Sequence, residues 1–423
     1  MKKVLIIAYY WPPAGGPGVQ RWLKFVTYLP QFEIEPIVYI PQNPHYPIKD
    51  TSFESEVPEH TRILRGKIWE PYAMAKFISR KKTQRISSGI ITEKKPSVLE
   101  KIMLWIRGNF FIPDTRKFWV KPSARLLTDV IIAEKIETVI TTGPPHSVHL
   151  IGNTLKQALG VKWIADFRDP WTTIGYHKKL QLTKRSAQKH RNLESMVLHN
   201  ADQLITTSYI TRDEFLKKTK TPITVITNGY DGEVSNGQPP NGHFTISHIG
   251  SLLSARNPIG LWTALSELIR ENADFKESLR LQLAGVVSES VLFSLREHGL
   301  NGHTEVMGYL PHAKAIDLQR KSQILLLIEI DSPMTKGIIP GKLFEYMAAK
   351  RPILAIGPGG WDVHHLITEN RAGHVFTYAE HREIKKQLLS WFQEYKGKGL
   401  HLDSPDIVRY HRKALTGQLA KLI

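Results

Sequence analysis

Short apolar runs alternate with longer amphipathic stretches along most of this chain. Val4–Tyr9, Ile37–Ile40, Thr138–Thr141, Lys162–Ala165, Gln203–Thr206 and Ile223–Ile226 have the length of strands. Runs of that kind suit strands covered on both faces. Helical patterns lie between them at Val19–Leu29, Ala124–Lys135 and His149–Leu159, with Ser147 as a candidate cap for the last. The rhythm then restarts. Thr245–Ile249, Leu279–Ala284, Thr304–Met307, Ile324–Ile328 and Ile353–Ile356 read as strands, and Ile259–Arg270 as a helix. Such β-α-β alternation predicts an α/β protein with parallel sheets and helices on both faces. Asp231–His243, rich in Gly, Pro and Asn, separates the two series and reads as a linker. Two Rossmann-like units are expected, over residues 1–230 and 244–405. A last amphipathic helix is expected over Asp406–Ile423.

A chain of 423 residues exceeds one ordinary core, which agrees with two units. Its 57 basic and 39 acidic residues give a net charge of +18. That balance calls for an anionic partner: nucleic acid, an anionic membrane surface or a phosphorylated ligand. Cysteine is absent, so disulfides, thiolate catalysis and cysteine-based zinc sites are excluded. The opening MKKVLIIAYYWPP has a Lys pair and an apolar run, but Trp11-Pro12-Pro13 stands where a small-residue cleavage site would be. It reads as a first strand. No window approaches the roughly 20 apolar residues of a spanning helix. A cytoplasmic protein is expected, soluble or peripheral on the inner face of the cell membrane.

The charge is uneven. Residues 62–125 carry 16 Lys/Arg and 4 Asp/Glu, a net of 16 − 4 = +12. Ile102, Met103, Leu104, Trp105, Ile106, Phe110 and Phe111 are interleaved with those cations. This fits a basic amphipathic insertion that docks on anionic headgroups. It also fits a solvated insertion whose apolar residues pack on the domain. A second cluster, Lys178 to Arg191, holds six cations and no acid.

Several stretches carry candidate chemistry. Val4–Tyr9 leads into Pro12-Pro13-Ala14-Gly15-Gly16-Pro17-Gly18 and then a helix. Strand, glycine loop and helix form the phosphate-binding opening of a doubly wound domain, or a rigid connection needing unusual φ/ψ. The run is not G-x-G-x-x-G, so nothing points to a nicotinamide cofactor. In Gly337–Gly360 a Gly/Pro-rich loop precedes a short helix. Lys342 and Glu345 are three apart there and share a face. A cation and a carboxylate beside bare N–H groups suit a nucleotide diphosphate, the cation meeting phosphates and the carboxylate ribose hydroxyls. A surface helix with an i,i+3 ion pair has the same signature. Asp166-Phe167-Arg168-Asp169-Pro170-Trp171 places two carboxylates three apart at a strand exit, which is not the D-x-D spacing of metal-dependent transferases. Asp169 could equally cap a turn, and Arg168 could pair with Asp166. His146 enters a helix and could hydrogen-bond a ligand or serve the fold. His364-His365 has no third ligand in view, so no metal is expected.

Taken together, these stretches resemble the GT-B glycosyltransferases, in the large retaining family four. The resemblance covers nearly the whole chain. It rests on Gly15-Gly16-Pro17-Gly18, Thr142-Gly143-Pro144-Pro145, the Asp166–Trp171 run, Asn228-Gly229, Gly250-Ser251-Leu252 with Arg256-Asn257-Pro258, Gly308-Tyr309, and above all Pro340-Gly341-Lys342-Leu343-Phe344-Glu345-Tyr346-Met347-Ala348. It implies two Rossmann-like domains facing a cleft, with the last helix crossing back to the first. The C-terminal domain would bind a UDP-, GDP- or ADP-sugar, and the N-terminal domain a lipid-linked or saccharide acceptor. Arg256 and Lys342 would neutralise the diphosphate, and Glu345 would hold the ribose. The backbone around Gly250, Ser251, Tyr309 and Leu310 would meet the nucleotide. The Gly15–Gly18 loop would close over phosphates and sugar. Asp166 and Asp169 would stand near the acceptor with His146 and Arg168. Family members often carry a second Glu eight residues before the ribose Glu. That position is Gly337 here, which leaves sugar recognition to the backbone of Gly337, Ile338 and Ile339 or to other side chains. The expected activity is retaining transfer of a hexosyl or N-acetylhexosaminyl group without a metal, in assembly of surface polysaccharide or glycolipid. A sugar-nucleotide epimerase of the same shape is the alternative enzyme. A nucleic-acid-binding protein is the non-enzymatic one, though no RNP-type or zinc motif is present.

Overall fold

The computed structural model describes residues 1–70, 98–235, 242–397, 399–400, 402 and 407–423. The chain forms two compact units. The first comprises Met1–Asn228 with Arg412–Ile423, and the second Gly229–His411.

The first unit runs β1 (Lys2–Ala8), α1 (Pro17–Tyr28), β2 (Ile34–Gln42), β3 (Arg62–Lys67), α2 (Val98–Phe110), α3 (Val120–Glu134), β4 (Thr138–Gly143), α4 (Ser147–Leu159), β5 (Lys162–Phe167), α5 (Lys184–Asn200), β6 (Gln203–Thr206), α6 (Tyr209–Leu216) and β7 (Ile223–Val225). Its seven strands lie in the order β3-β2-β1-β4-β5-β6-β7 and every pair is parallel. Parallel strands need crossover helices, which cover both faces and explain the continuous apolar runs. Val4, Leu5, Ile6 and Ile7 are wholly buried. The strand order reverses between β1 and β4, so their carboxyl ends flank the crevice where ligands bind in such sheets.

The second unit runs β8 (Phe244–Ile249), α7 (Ile259–Glu271), β9 (Leu279–Ala284), α8 (Glu289–Glu297), β10 (Thr304–Gly308), α9 (His312–Lys321), β11 (Ile324–Ile328), α10 (Lys342–Ala348), β12 (Ile353–Ile356), α11 (Asp362–Glu369), β13 (Gly373–Phe376) and α12 (His381–Gly397). Its six parallel strands lie in the order β10-β9-β8-β11-β12-β13. Here the order reverses between β8 and β11. The two sheets with their flanking helices form the GT-B pair of Rossmann-like folds.

Three expectations need correction. The final helix, α13, spans Arg412–Ala420, and a 3-10 turn at Val408–Tyr410 precedes it. Residues 403–406, where that helix was expected to begin, lie outside the described residues. Leu415, Leu419 and Ile423 are buried in the core of the first unit. The basic stretch 62–125 is not one insertion. Arg62–Lys67 is β3, paired with β2 from Ile37↔Arg62 to Gln42↔Lys67, and α3 buries Leu127 and Ile131. Residues 71–97 of that stretch, and 236–241 of the expected linker, lie outside the described residues. Finally, Ser147 does not cap α4. It is the first helical residue, and Asp114 accepts from its N–H at 2.8 Å and its hydroxyl at 2.9 Å. A carboxylate from a distant loop thus meets the positive helix end.

A side chain from α13 that is wholly buried in the first unit should be costly to truncate. Leu419→Ala should lower the urea-unfolding free energy of that unit by about 2–5 kcal/mol. The second unit's transition should not move.

Candidate functional site

In the second unit the carboxyl ends of β8 and β11 bring four charged side chains together. β8 ends at Ile249, and Gly250 turns away at φ 127°, a conformation that L side chains rarely adopt. A Cβ at Gly250 would lie 3.1 Å from Lys342 Nζ. One at Gly285 would lie 2.5 Å from the Gly250 carbonyl oxygen, so two loops meet backbone to backbone. Lys342 opens α10 and donates to the Ile249 carbonyl at 3.0 Å. Arg256, after the β8 exit, donates to Glu329 Oε1 through Nη2 at 2.8 Å and Nε at 3.2 Å. Glu329 follows β11, is almost fully buried, and also accepts from the Ile330 N–H at 2.8 Å.

The surface ion pair that the Lys342/Glu345 spacing allowed is not formed. Glu345 instead accepts from Gln319 of α9 at 3.1 Å. Leu343 and Met347 form the expected buried stripe. Lys342 is depressed to about 8. Burial is the main cause and the Arg256 charge adds to it, while Glu329 and Glu345 oppose. His248 lies beneath, buried, with Nδ1 2.9 Å from the Leu326 carbonyl. Burial and then the charge of Lys342 hold its imidazole well below the usual histidine range. Two cations and two carboxylates thus meet at these strand exits, and Arg256 and Lys342 are the groups among them with the chemistry to take a diphosphate.

The other nucleotide-side candidates are placed more loosely. Tyr309 is 84% exposed at the exit of β10, with β9 between it and β8. Leu310 is half-buried. The Gly285 N–H donates to the Gly308 carbonyl at 2.6 Å, tying the exits of β9 and β10 together. Ser251 follows Gly250 on the surface. Gly337 and Ile338 lie in a turn whose Ile338 carbonyl accepts from Trp361 Nε1 at 2.6 Å, and Ile339 is buried. Their N–H groups precede α10.

In the first unit the acceptor-side residues separate into two kinds. Asp166 is wholly buried. It accepts from Thr142 Oγ1 at 2.8 Å, Trp22 Nε1 at 2.9 Å and Arg21 Nη2 at 3.3 Å. This corrects its expected place among the reacting carboxylates. It anchors α1 under the β4 and β5 ends, and Arg21, not Arg168, is its partner. Arg21 also donates to the Thr227 carbonyl at 2.6 Å. Asp169 is half-buried, and burial raises its carboxyl, against Arg168 and together with Asp166. Such a group at a strand exit fits a functional role.

Arg168 donates to the carbonyls of Gly143, at 3.2 Å, and Pro144. A Cβ on Gly18 would lie 1.6 Å from Arg168 Nη1, so that glycine lets the guanidinium reach the N-terminus of α1. Gly16 precedes this helix at φ 112°, and Gly15 donates to the Ile48 carbonyl at 3.1 Å. His146 is buried and stacks on Trp171 at 4.6 Å. Neither of its ring nitrogens has a hydrogen-bond partner among the described residues. Burial, then His149, His177, His190 and Arg168, keeps it neutral. Among the described residues no group of three or more His, Asp or Glu side chains could hold a metal ion.

Sequence reasoning missed Glu329, His248, Gln319 and Arg21. Glu329 stands one residue beyond a wholly apolar strand, Ile324–Ile328, and a carboxylate at that place was the available signal.

No family model and no curated protein matches this chain. Solved structures do. A glycosyltransferase from Rickettsia africae ESF-5 is 13% identical, with 99% of this chain and 93% of that one covered and a TM-score of 0.57. A lipopolysaccharide outer core galactosyltransferase, WaaB, is 11% identical over 100% and 99%, with the same TM-score. A putative UDP-N-acetylglucosamine 2-epimerase from Listeria monocytogenes is 12% identical over 99% and 95%, at 0.52. At these identities the likeness is one of fold.

Asp166→Ala leaves Arg21 buried and unpaired. It should lower first-unit stability by about 3–5 kcal/mol. Asp169→Asn should stay within about 0.5 kcal/mol of wild type, because its carboxylate has no hydrogen bond or ion pair among the described residues. Equal losses in urea unfolding would dissolve the distinction. A second test concerns Lys342. With an apo value of about 8, affinity for a nucleoside diphosphate should fall as pH rises through that value. The unfolded chain holds this proton up to about 10.4. Between those limits it binds more protons than the folded chain, so this group's contribution to stability rises with pH while affinity falls. Calorimetric titration across that range checks both signs, and a flat affinity profile would remove Lys342 from the site.

Proposed function

We propose that this protein is a nucleotide-sugar-dependent glycosyltransferase of the retaining, family-four kind. Its donor is a UDP-, GDP- or ADP-sugar. It transfers a hexosyl or N-acetylhexosaminyl group to a saccharide or lipid-linked acceptor, in building cell-surface polysaccharide or glycolipid on the cytoplasmic side of the membrane. The observation that carries this reading is the convergence of Arg256 and Lys342 at the switch point of the second sheet, beside Gly250 and with Glu345 on the first turn of α10.

Glycosyl transfer breaks the anomeric C–O bond through an oxocarbenium-like state, and the leaving diphosphate gains negative charge. Fixed cations aimed there stabilise the transition state more than the ground state. Arg256 and Lys342 take that role without a protein nucleophile. Glu345 accepts from ribose hydroxyls, and the N–H groups of Gly337 and Ile339 meet the donor sugar, the Ile338 N–H being taken by the Thr335 carbonyl at 2.9 Å. Tyr309 and Leu310 border the base. On the acceptor side Asp169, His146 and Arg168 orient the incoming hydroxyl, with the Gly15–Gly18 loop beside them. For front-face attack the departing phosphate oxygen takes the acceptor proton, so no side-chain base is needed.

The epimerase-like neighbours favour one second reading, interconversion of the sugar on its nucleotide. A labelled UDP-sugar without acceptor separates the two: a free epimer supports epimerisation, and slow hydrolysis or no turnover supports transfer.

Thermal-shift titration against UDP, GDP and ADP forms of common sugars tests the donor site. One nucleotide class should stabilise the protein by about 2.7 kcal/mol at a hundredfold excess over Kd. Lys342→Ala and Glu345→Ala should lose most of that shift. If both variants respond like wild type, the assignment fails.

A further inference from the structure

The geometry points to a membrane-docking face on the first unit: the outward apolar stripe of α2, rimmed by lysines, seats on an anionic bilayer surface. Docking goes beyond glycosyl transfer and does not depend on the nucleotide site.

Helices normally turn their apolar stripe inward. On α2 the stripe faces out. Leu99, Ile102, Trp105, Ile106 and Phe110 recur at helical spacing and are 39–60% exposed. The helix is fastened elsewhere. Asn109 accepts from the Thr183 N–H at 2.8 Å and donates to the Gln181 carbonyl at 3.3 Å. A Cβ on Gly108 would lie 2.6 Å from Leu182, so the chain before α5 packs directly against the backbone of α2. The apolar surface continues past the helix. Trp105 and Phe110 meet edge to face at 5.7 Å. Lys117 donates to the Phe110 carbonyl at 2.6 Å and carries its ammonium 5.0 Å from the Phe118 ring. Trp69 meets Phe118 at 4.9 Å, and both are exposed.

Cations border this patch. Residues 98–125 carry six Lys/Arg and two Asp/Glu, and one of those acids, Asp114, is committed to Ser147. Lys101, Lys121, Lys184 and Lys189 are exposed. The Lys117 ammonium is depressed by burial and by the charge of Lys189, which places the start of α5 at the same rim. Aromatic and branched side chains, with lysines whose stems lie over rings, are what a headgroup boundary takes up. Charge selects the occupant. A second copy would bring +18 against +18, which opposes self-association through a basic rim. An anionic lipid surface relieves the crowding of cations while the stripe leaves water.

The test is co-sedimentation of the full chain with phosphatidylcholine vesicles, with and without phosphatidylglycerol. Wild type should pellet with the anionic vesicles and much less with the neutral ones. Ile102→Asp/Ile106→Asp should cut the bound fraction at least about tenfold at low salt. Lys184→Glu/Lys189→Glu should weaken binding in a salt-dependent way. Both pairs are at the surface, so melting curves should match wild type. No vesicle binding, or binding that neither double variant changes, overturns the proposal. A dimer in light scattering that Ile102→Asp/Ile106→Asp dissolves, without vesicle binding, makes a second copy the occupant and overturns it. So does retention on RNA at physiological salt without vesicle binding.

Discussion

Two like charges, Arg256 and Lys342, are held close together against their repulsion, and the candidate site of the second unit depends on how that is done. Arg256 is ion-paired, whereas Lys342 meets a carbonyl. Glu329 takes Arg256 on one carboxylate oxygen, and the Ile249 carbonyl takes Lys342 with a dipole only. The depressed amine of Lys342 records its burial first and the Arg256 charge second. The arrangement exists because β8 and β11 are neighbours in a parallel sheet, so their exits open side by side. It also needs bare backbone at Gly250 and Gly285, since a side chain at Gly285 would strike the Gly250 carbonyl. An anion arriving there removes repulsion and makes new bonds at once, and that is how a preorganised site gains affinity without rearrangement.

The first unit solves a different problem with a similar sheet. Its carboxylate at a strand exit, Asp166, points inward and binds Arg21, Trp22 and Thr142. A buried ion pair is weak evidence for stability as such, but removing one partner leaves an uncompensated charge. Here the pair locks α1 to the ends of β4 and β5, and the Gly15–Gly18 turn leads directly into α1. Loop placement in this unit therefore depends on a residue that no ligand needs to touch. Glu70, Arg116 and Tyr9 form a second such knot at the end of β1, with the Tyr9 hydroxyl donating to Glu70 at 2.6 Å.

Much of this was legible in the chain. Every strand read from an apolar run is present, and the central ones are apolar along their length because they are buried on both faces. The Lys342/Glu345 pairing could be read as a site or as a surface ion pair, and only tertiary contacts with Ile249 and Gln319 separate the two. Asp166 was misread because a carboxylate at a strand exit looks the same from sequence whether it faces solvent or Trp22. The partners that decide this lie 145 and 144 positions away for Arg21 and Trp22. The stretch 62–125 was misread as one piece because charge dominates its composition. Net charge reports on partners and solubility, not on which segments join a sheet. Arg62–Lys67 pairs with β2 through its backbone, Ile63 and Leu64 pack on the core, and Arg62, Arg65 and Lys67 stay exposed.

These placements narrow what the first unit can contribute to chemistry. With Asp166 occupied and His146 held neutral by burial, Asp169 is the carboxylate at this strand exit with capacity left to accept from a hydroxyl. Its raised carboxyl makes it a better hydrogen-bond acceptor than an ordinary aspartate, yet Arg168 two atoms of backbone away opposes that rise. A strong general base is not what this pair builds. It is better matched to orienting a hydroxyl whose proton leaves elsewhere, and under the proposed reaction the departing phosphate provides that destination. That reaction needs cations at the leaving group more than any proton acceptor, and Arg256 and Lys342 at the exits of β8 and β11 are the candidates for them.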